Sequence, residues 1–160
     1  NLSFPYCISI NSSYIYEQST DERINQNDAA ITLAHELGHY LGLRHVFSEG
    51  GTTSMCTDTD YCKDTPSYNR SEYEQWLNNL DKKKYQLKDL AKRYSCEKGE
   101  YEAHNIMDYA YCFYNEITLE QRKRIRHILN YSPLIPGPKE SRIDTRGVQG
   151  RLNLPICIMK

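Results

Sequence analysis

The sequence predicts one domain of the α+β class, and three stretches carry that prediction. FPYCISINSSYIY (4–16) alternates apolar and polar residues, as one or two β-strands do. AAITLAHELGHYLGL (29–43) repeats apolar residues at spacings of three and four, which is typical of an amphipathic helix. ITLEQRKRIRHIL (117–129) shows the same helical pattern behind a capping-box signal. The 160 residues suffice for one domain with a hydrophobic core.

Composition and charge also narrow the kind of protein that this sequence can be. A hydrophobic fraction of 39% and a charged fraction of 26% are typical of a globular domain. The net charge of −1 gives no electrostatic reason to expect nucleic acid or an anionic membrane as a partner. No apolar run approaches the roughly 20 residues of a transmembrane helix. The chain begins at Asn1 and carries no signal peptide, so we expect it to be a piece of a longer precursor.

The first helix is predicted between a polar loop and a glycine. STDERINQND (19–28) offers Asn27 or Asp28 as the helix cap. Gly42 is suited to end the helix, because glycine tolerates the left-handed backbone of a terminating residue. The predicted core face of this helix consists of Ile31, Ala34, Leu37 and Leu41.

The remaining elements follow from composition and spacing. Residues 48–68 are rich in turn-forming residues and predict a loop. Residues 70–95 look helical, and the run DKKK (81–84) is a place where two helices could separate, with its charges on a solvated face. Prolines and glycines in 132–160 predict an extended tail or linker, with a last strand at LPICIM (154–159). The last helix pairs Thr118 with Gln121 as a capping box, and its inward-facing residues are Ile125, Ile128 and Leu129.

HELGHYLGLRH (35–45) has the spacing of a metal site. His35 and His39 are four residues apart on a helix, so both imidazoles lie on one face and can reach one zinc ion. A helix end at Gly42 brings His45 back as a third ligand. Three neutral ligands leave a position for water, and the ion lowers the pKa of that water from about 15.7 toward 7. Glu36 lies next to the first ligand and is the candidate general base.

Two other interpretations of these eleven residues have to be weighed. A lone histidine on an apolar helix is usually a satisfied core residue, but here four functional residues and Gly42 occur together at matching intervals. A structural zinc site normally closes with a fourth protein ligand, often cysteine, and this segment contains no cysteine. The pattern therefore favours one catalytic zinc ion.

The segment matches the signature H-E-x-x-H-x-x-G-x-x-H of the metzincin peptidases. That resemblance implies a downstream turn with a methionine beneath the metal, and NIMDY (105–109) supplies Met107 for it. Tyr109 resembles the tyrosine that helps to stabilise the oxyanion in several metzincin branches. The implied fold is a metzincin-like catalytic domain with an active-site helix and a Met-turn.

Further landmarks resemble one metzincin branch, the pappalysin family. HELGHYLGLRHVF, GG, DYCKDTPSYN, HNIMDYAYC and ITLEQRKRI follow in that family's order over roughly 28–130, interrupted by an insertion at 70–95. The resemblance implies a secreted or surface-attached zinc endopeptidase that acts on proteins or peptides. A zinc-containing binding or accessory module, or an inactive peptidase fragment, is the alternative function.

The resemblance also divides the domain, 1–131, into two parts around a cleft. The upper subdomain would be 1–43 and the lower 44–131, with the insertion inside the lower one. Only 34 residues precede His35, so we expect the upper subdomain to be truncated here. An N-terminal segment of the chain's own precursor is then a candidate partner.

Six cysteines form an even set, which favours disulfides in an exported protein over a thiolate metal site. Spacing alone leaves the pairing open. The resemblance implies the pairs Cys56–Cys96 and Cys62–Cys112, and Cys7–Cys157 remain as a third pair.

The family resemblance also implies a calcium site in the loop after the third histidine. The candidate ligands Asp58, Asp60 and Asp64 are hard oxygen donors. Aspartates in turns equally often cap backbone N–H groups, and the sequence leaves both interpretations open. YAYCFYN (109–115) has no acidic residue, so the preference of some family members for a basic substrate residue is not carried over.

Overall fold

The computed structural model describes residues 7–9, 29–49, 56–95 and 97–135. Its elements, in chain order, are α1 (Ala29–Tyr40), α2 (Arg70–Asn78), a 3-10 turn (Lys82–Lys84), α3 (Leu87–Leu90), β1 (Lys92–Ser95), β2 (Gly99–Glu102) and α4 (Leu119–Tyr131). The described residues thus combine helices with a small sheet, a mixed composition that agrees with the α+β class in this coarse respect. The predicted strands at 4–16 and 154–159 lie outside the described residues, apart from 7–9, as do the predicted caps at 27 and 28 and the tail from 136 onward.

Helix α1 ends as the sequence predicts. Gly42 has a φ of +85°, and its N–H donates to the carbonyl of His39. Leu43 N–H donates to the carbonyl of Gly38 at 2.9 Å, which completes a Schellman-type end. A Cβ at Gly42 would lie 2.7 Å from Ile128 Cγ1, so α4 also requires a glycine at this position.

The buried face of α1 differs from the predicted one. Leu37 is 43% exposed, whereas His35 and Gly38 are buried. The reason is that the helix packs its His35–Gly38 side against residues 106 and 107, which are distant in sequence. The period of apolar residues in α1 could not reveal that partner.

The insertion forms a compact unit rather than two long helices. α2 ends at Asn78, and the lysines of the DKKK run form an exposed turn, so the predicted break is confirmed. The helical prediction for 92–95 is wrong. These residues pair antiparallel with β2, from Lys92 opposite Glu102 to Ser95 opposite Gly99. Burial alternates along β1, so the local period is that of a strand.

The hydrophobic core lies between the segment after α1, the insertion and the turn at 107. α4 carries the predicted capping box: Thr118 Oγ1 accepts from Gln121 N–H, and Gln121 Oε1 accepts from Thr118 N–H at 3.0 Å. On α4, Leu129 is exposed rather than inward-facing. The core residues are Leu43, Val46, Phe47, Tyr68, Tyr73, Leu77, Leu90 and Met107.

The predicted pairing of Cys62 with Cys112 is wrong, and that of Cys56 reaches outside the described residues. Cys56 is in a disulfide, and its predicted partner, residue 96, lies outside the described ranges. The predicted bond between Cys62 and Cys112 is not formed. Both are buried free thiols that donate to separate carbonyls, of Asp60 for the first and of Ala103 for the second.

The third predicted pair, Cys7–Cys157, also differs from the structure. Cys7 is an exposed free thiol, and residue 157 lies outside the described ranges.

Candidate metal centre

Helix α1 and the chain that follows it bring three imidazoles together. His35 Nε2 lies 3.2 Å from His45 Nε2, and His39 Nε2 lies 3.0 Å from the same atom. The ligand atoms of the three residues all lie within 4.8 Å of one another. Two nitrogens bound tetrahedrally to one zinc ion would lie about 3.3 Å apart, so the spacing suits that ion.

The opposite nitrogen of each ring is held by an oxygen that can only accept. Each Nδ1 must therefore carry the proton and donate it, which leaves the lone pair on Nε2. Three converging lone pairs repel one another unless a cation lies among them, and neutral imidazole nitrogens are common ligands of zinc. The donor set thus fits a divalent metal ion. The acceptors are the carbonyl of Ile106 at 2.7 Å for His35, the carbonyl of Leu43 at 3.0 Å for His39 and the carboxylate of Glu49 for His45.

Burial favours the neutral form of the His35 and His45 rings. Desolvation lowers the pKa of His35 below its ordinary value. Desolvation is also the main cause that lowers the pKa of His45, to about 4. Neutral imidazole is the form that binds a metal ion, so the protein prepares these two side chains for ligation at neutral pH.

Glu36 and Tyr109 both lie next to the histidines. Glu36 follows the first ligand on α1 and is half-buried; its charge acts on both His35 and Tyr109. The ring centroid of Tyr109 lies 4.4 Å from that of His45 and 5.3 Å from that of His35. Tyr109 is 38% exposed, so one side of the site opens to solvent at this ring.

Met107 is completely buried against α1. A Cβ at Gly38 would lie 2.4 Å from Met107 Sδ, so the methionine sits where only a glycine leaves room. Val46 N–H donates to the Met107 carbonyl at 3.3 Å, and Asn105 Oδ1 accepts from Met107 N–H at 3.0 Å. The turn therefore supports both the helix and the segment that carries His45. Sequence reasoning missed Gly38, whose only signal is a glycine inside a helix, where glycine is unfavourable.

Arg93 and Asp108 form a buried ion pair behind that turn, with Arg93 Nε 3.5 Å from Asp108 Oδ2. Arg93 Nη2 donates to the carbonyl of Tyr109 at 3.1 Å, and its guanidinium lies 3.6 Å from the centroid of the Tyr73 ring. Asp108 Oδ1 accepts from Tyr68 Oη at 2.6 Å and from Tyr109 N–H at 2.7 Å. Sequence reasoning missed this pair, because Arg93 lies in a charged stretch that resembles a solvated surface.

The three aspartates proposed for calcium do not converge. Within the described ranges, the three histidines are the group of metal-ligating side chains close enough to hold an ion. Each aspartate instead caps backbone N–H groups, as the alternative interpretation of the loop expected. The donors are Asp60 and Tyr61 N–H for Asp58, Cys62 N–H for Asp60 and Glu120 N–H for Asp64. The structure gives no support to a calcium site.

Three imidazoles with converging nitrogens, a neighbouring carboxylate and a buried turn packed against their helix are features of a site of the metalloprotease class. Residues 6–130 match the sequence profile of the family described as pregnancy-associated plasma protein-A. The chain belongs to this pappalysin family of metalloproteases, and the resemblance inferred from the motifs is confirmed.

Curated relatives agree with that assignment. The chain is 37% identical over 107 residues to an extracellular metalloprotease of Arthroderma otae. Extracellular metalloproteases of Arthroderma benhamiae and Trichophyton verrucosum are each 36% identical over 107 residues. The aligned region is 65% of this chain and 33% of the first relative, or 32% of the other two, so the chain spans about a third of these proteins.

No solved structure matches the chain significantly. Within the part of the chain that the structure describes, no helix has the length and apolar character needed to cross a membrane.

Proposed function

We propose that this chain carries the catalytic centre of a secreted zinc endopeptidase that hydrolyses peptide bonds in proteins or peptides. The observation that carries the proposal is the convergence of three Nε2 atoms whose partner Nδ1 atoms all face acceptors. That arrangement fixes the tautomer of every ring and aims three lone pairs at one point. The fungal relatives are extracellular metalloproteases, which supports secretion.

A small number of residues would carry out peptide-bond hydrolysis. His35, His39 and His45 hold the metal. A zinc ion bound there supplies Lewis-acid activation of water and of the scissile carbonyl. The Glu36 carboxylate takes a proton from the water that attacks the carbonyl carbon. It then delivers that proton to the departing amine nitrogen as the C–N bond breaks.

Tyr109 and Met107 have supporting roles. Burial raises the pKa of the Tyr109 phenol above its ordinary value, so the phenol keeps its proton at neutral pH and can donate it in a hydrogen bond to the oxyanion that develops on the carbonyl oxygen. Met107 supports α1 from below as the Met-turn residue. Both assignments rest on contact: the Tyr109 ring with His45, and the Met107 sulfur with Gly38.

The domain boundaries belong to the same proposal. We assign 1–43 to an upper subdomain and 44–131 to a lower one that contains the insertion, followed by a tail at 132–160. Packing of the insertion against the segment after α1 supports its place in the lower subdomain.

Replacement of Glu36 by Gln tests the proposal. We expect Glu36→Gln to lower casein hydrolysis by at least about 100-fold, because the variant lacks the base, while zinc content stays at one ion per chain. Glu97→Gln, at an exposed turn, is the matched control and should behave like the parent. Measurement needs a fluorescent casein assay and elemental analysis of the same samples.

Two results would contradict the proposal. Activity retained by Glu36→Gln would remove Glu36 from the mechanism. A parent chain that holds zinc but cleaves neither casein nor a mixed peptide library would instead favour the zinc-containing binding module.

A further inference from the structure

Arg70 lies beside the metal centre and has no role in the mechanism above. Its guanidinium carbon is 4.7 Å from the centroid of the Phe47 ring and 4.8 Å from that of the Tyr109 ring. The Tyr109 ring in turn contacts the His45 ring, with centroids 4.4 Å apart. One aromatic ring therefore separates this cation from a metal ligand.

The side chain of Arg70 is held in place and still has donors to offer. Its Nε donates to Glu74 Oε1 at 2.6 Å, one turn along α2, and its guanidinium lies over two aromatic rings. Among the described residues, no acceptor is hydrogen-bonded to Arg70 Nη1 or Nη2. The side chain is 30% exposed, so solvent, or a ligand, reaches it.

Arg93, from the same insertion, shows what a purely structural arginine looks like here. Its side chain has no exposed surface, and both Nη atoms donate to backbone carbonyls. Arg70 differs in both respects, although the two residues share aromatic neighbours of the same kind. The difference indicates that the Nη edge of Arg70 is available to a molecule that enters the site.

A guanidinium edge with two free N–H donors is best satisfied by a carboxylate, which accepts two parallel hydrogen bonds. The aromatic rings and the bond to Glu74 restrict the rotamers of Arg70 in advance, so little side-chain entropy is lost when a ligand binds. Because Arg70 contacts the Tyr109 ring, it lies on the side of the site where the oxyanion is expected.

We propose that Arg70 selects substrates that carry a carboxylate near the scissile bond, on the side where Tyr109 lies. The carboxylate can belong to an aspartate or glutamate side chain or to the C-terminus of a peptide. This inference rests on the proposed function, since it names the substrate class of the same site. A polar but uncharged substrate residue forms fewer and weaker bonds with a guanidinium and is disfavoured.

A paired peptide series tests the inference. The peptides share one sequence and carry Glu or Gln at each successive position around the cleaved bond, with either a free or an amidated C-terminus. Charge-assisted hydrogen bonds contribute enough for a roughly tenfold to hundredfold higher kcat/KM for the acid at one position. The position of that preference distinguishes a side-chain carboxylate from a terminal one.

Variants of Arg70 show whether this residue is the cause. Arg70→Ala should bring the Glu-to-Gln ratio of kcat/KM close to one, Arg70→Lys should leave an intermediate ratio, and Arg70→Glu should favour Gln. Arg126→Ala, an exposed arginine on α4, is the control and should keep the parental ratio. Equal cleavage of both peptides at every position, or a preference that persists in Arg70→Ala, would overturn the inference and leave the peptidase intact.

A binding measurement separates this inference from the proposed function. In a Glu36→Gln background, fluorescence anisotropy should give tighter binding of the acid peptide than of its amide partner. Adding Arg70→Ala should remove the difference. No cleavage by the parent would contradict the proposed function, and equal anisotropy titrations of both peptides would contradict the role of Arg70.

Discussion

The histidine segment, 35–45, and the insertion, 70–95, both contribute to the metal centre, but they do so in different ways. In the histidine segment, residues close together in sequence form the site: one helix and the glycine that ends it bring three nitrogens together. In the insertion, single residues contact parts of the site that are distant in sequence. Arg93 fixes the carbonyl of Tyr109, and Arg70 lies against its ring. The three histidines thus come from a local motif, whereas Arg70 and Arg93 reach the site from the insertion.

The largest effect should come from removing the buried cation of the insertion. Arg93→Met leaves Asp108 buried without its counter-charge, so we expect a loss of about 3–5 kcal/mol in the free energy of unfolding. Urea denaturation measures it. Arg126→Met, on the exposed face of α4, should change the same quantity by no more than about 0.5 kcal/mol.

A second variant shows whether the ion pair itself is responsible. Arg93→Met combined with Asp108→Asn removes both charges and should recover part of the lost stability. Equal unfolding curves for Arg93→Met and Arg126→Met would mean that the insertion does not support the turn at 107.

A smaller effect is expected in the histidine segment. Alanine usually stabilises a helix relative to glycine by roughly 0.5–1 kcal/mol. At residue 38 we expect the opposite sign, a loss of about 1–3 kcal/mol, because the new Cβ would press on Met107 Sδ. Thermal unfolding of Gly38→Ala measures it, and a higher Tm than that of the parent would contradict the packing of Met107 against α1.

The sequence predicted those parts of the molecule that depend on neighbours in the chain. The end of α1 at Gly42, the capping box of Thr118 and Gln121, and the histidine triad all follow from residues within a few positions of one another. A turn, a cap and a ligand pair on one helix face are local events. The candidate metal site could therefore be predicted before its geometry was known.

Features that depend on distant contacts could not be predicted in this way. The buried face of α1 is set by Met107, about 70 residues away, and an apolar period in the helix does not encode that contact. Arg93 resembled a surface charge because its partners, Asp108 and the carbonyl of Tyr109, lie outside its own stretch of sequence. The strand at 92–95 became a strand because β2 pairs with it.

The cysteines also show that distant contacts could not be predicted from the sequence. A pairing carried over from a resemblance assumes that two loops approach as they do in relatives. Here Cys62 and Cys112 donate to different carbonyls, and no bond joins them.

X-ray absorption at the zinc edge of the purified chain tests the central claim most directly. We expect one zinc ion per chain with three nitrogen ligands at about 2.0–2.1 Å and one oxygen ligand. His39→Ala should abolish this coordination of zinc. Sulfur scattering at about 2.3 Å, or unchanged zinc binding after the loss of His39, would contradict the assignment of His35, His39 and His45 as the metal ligands.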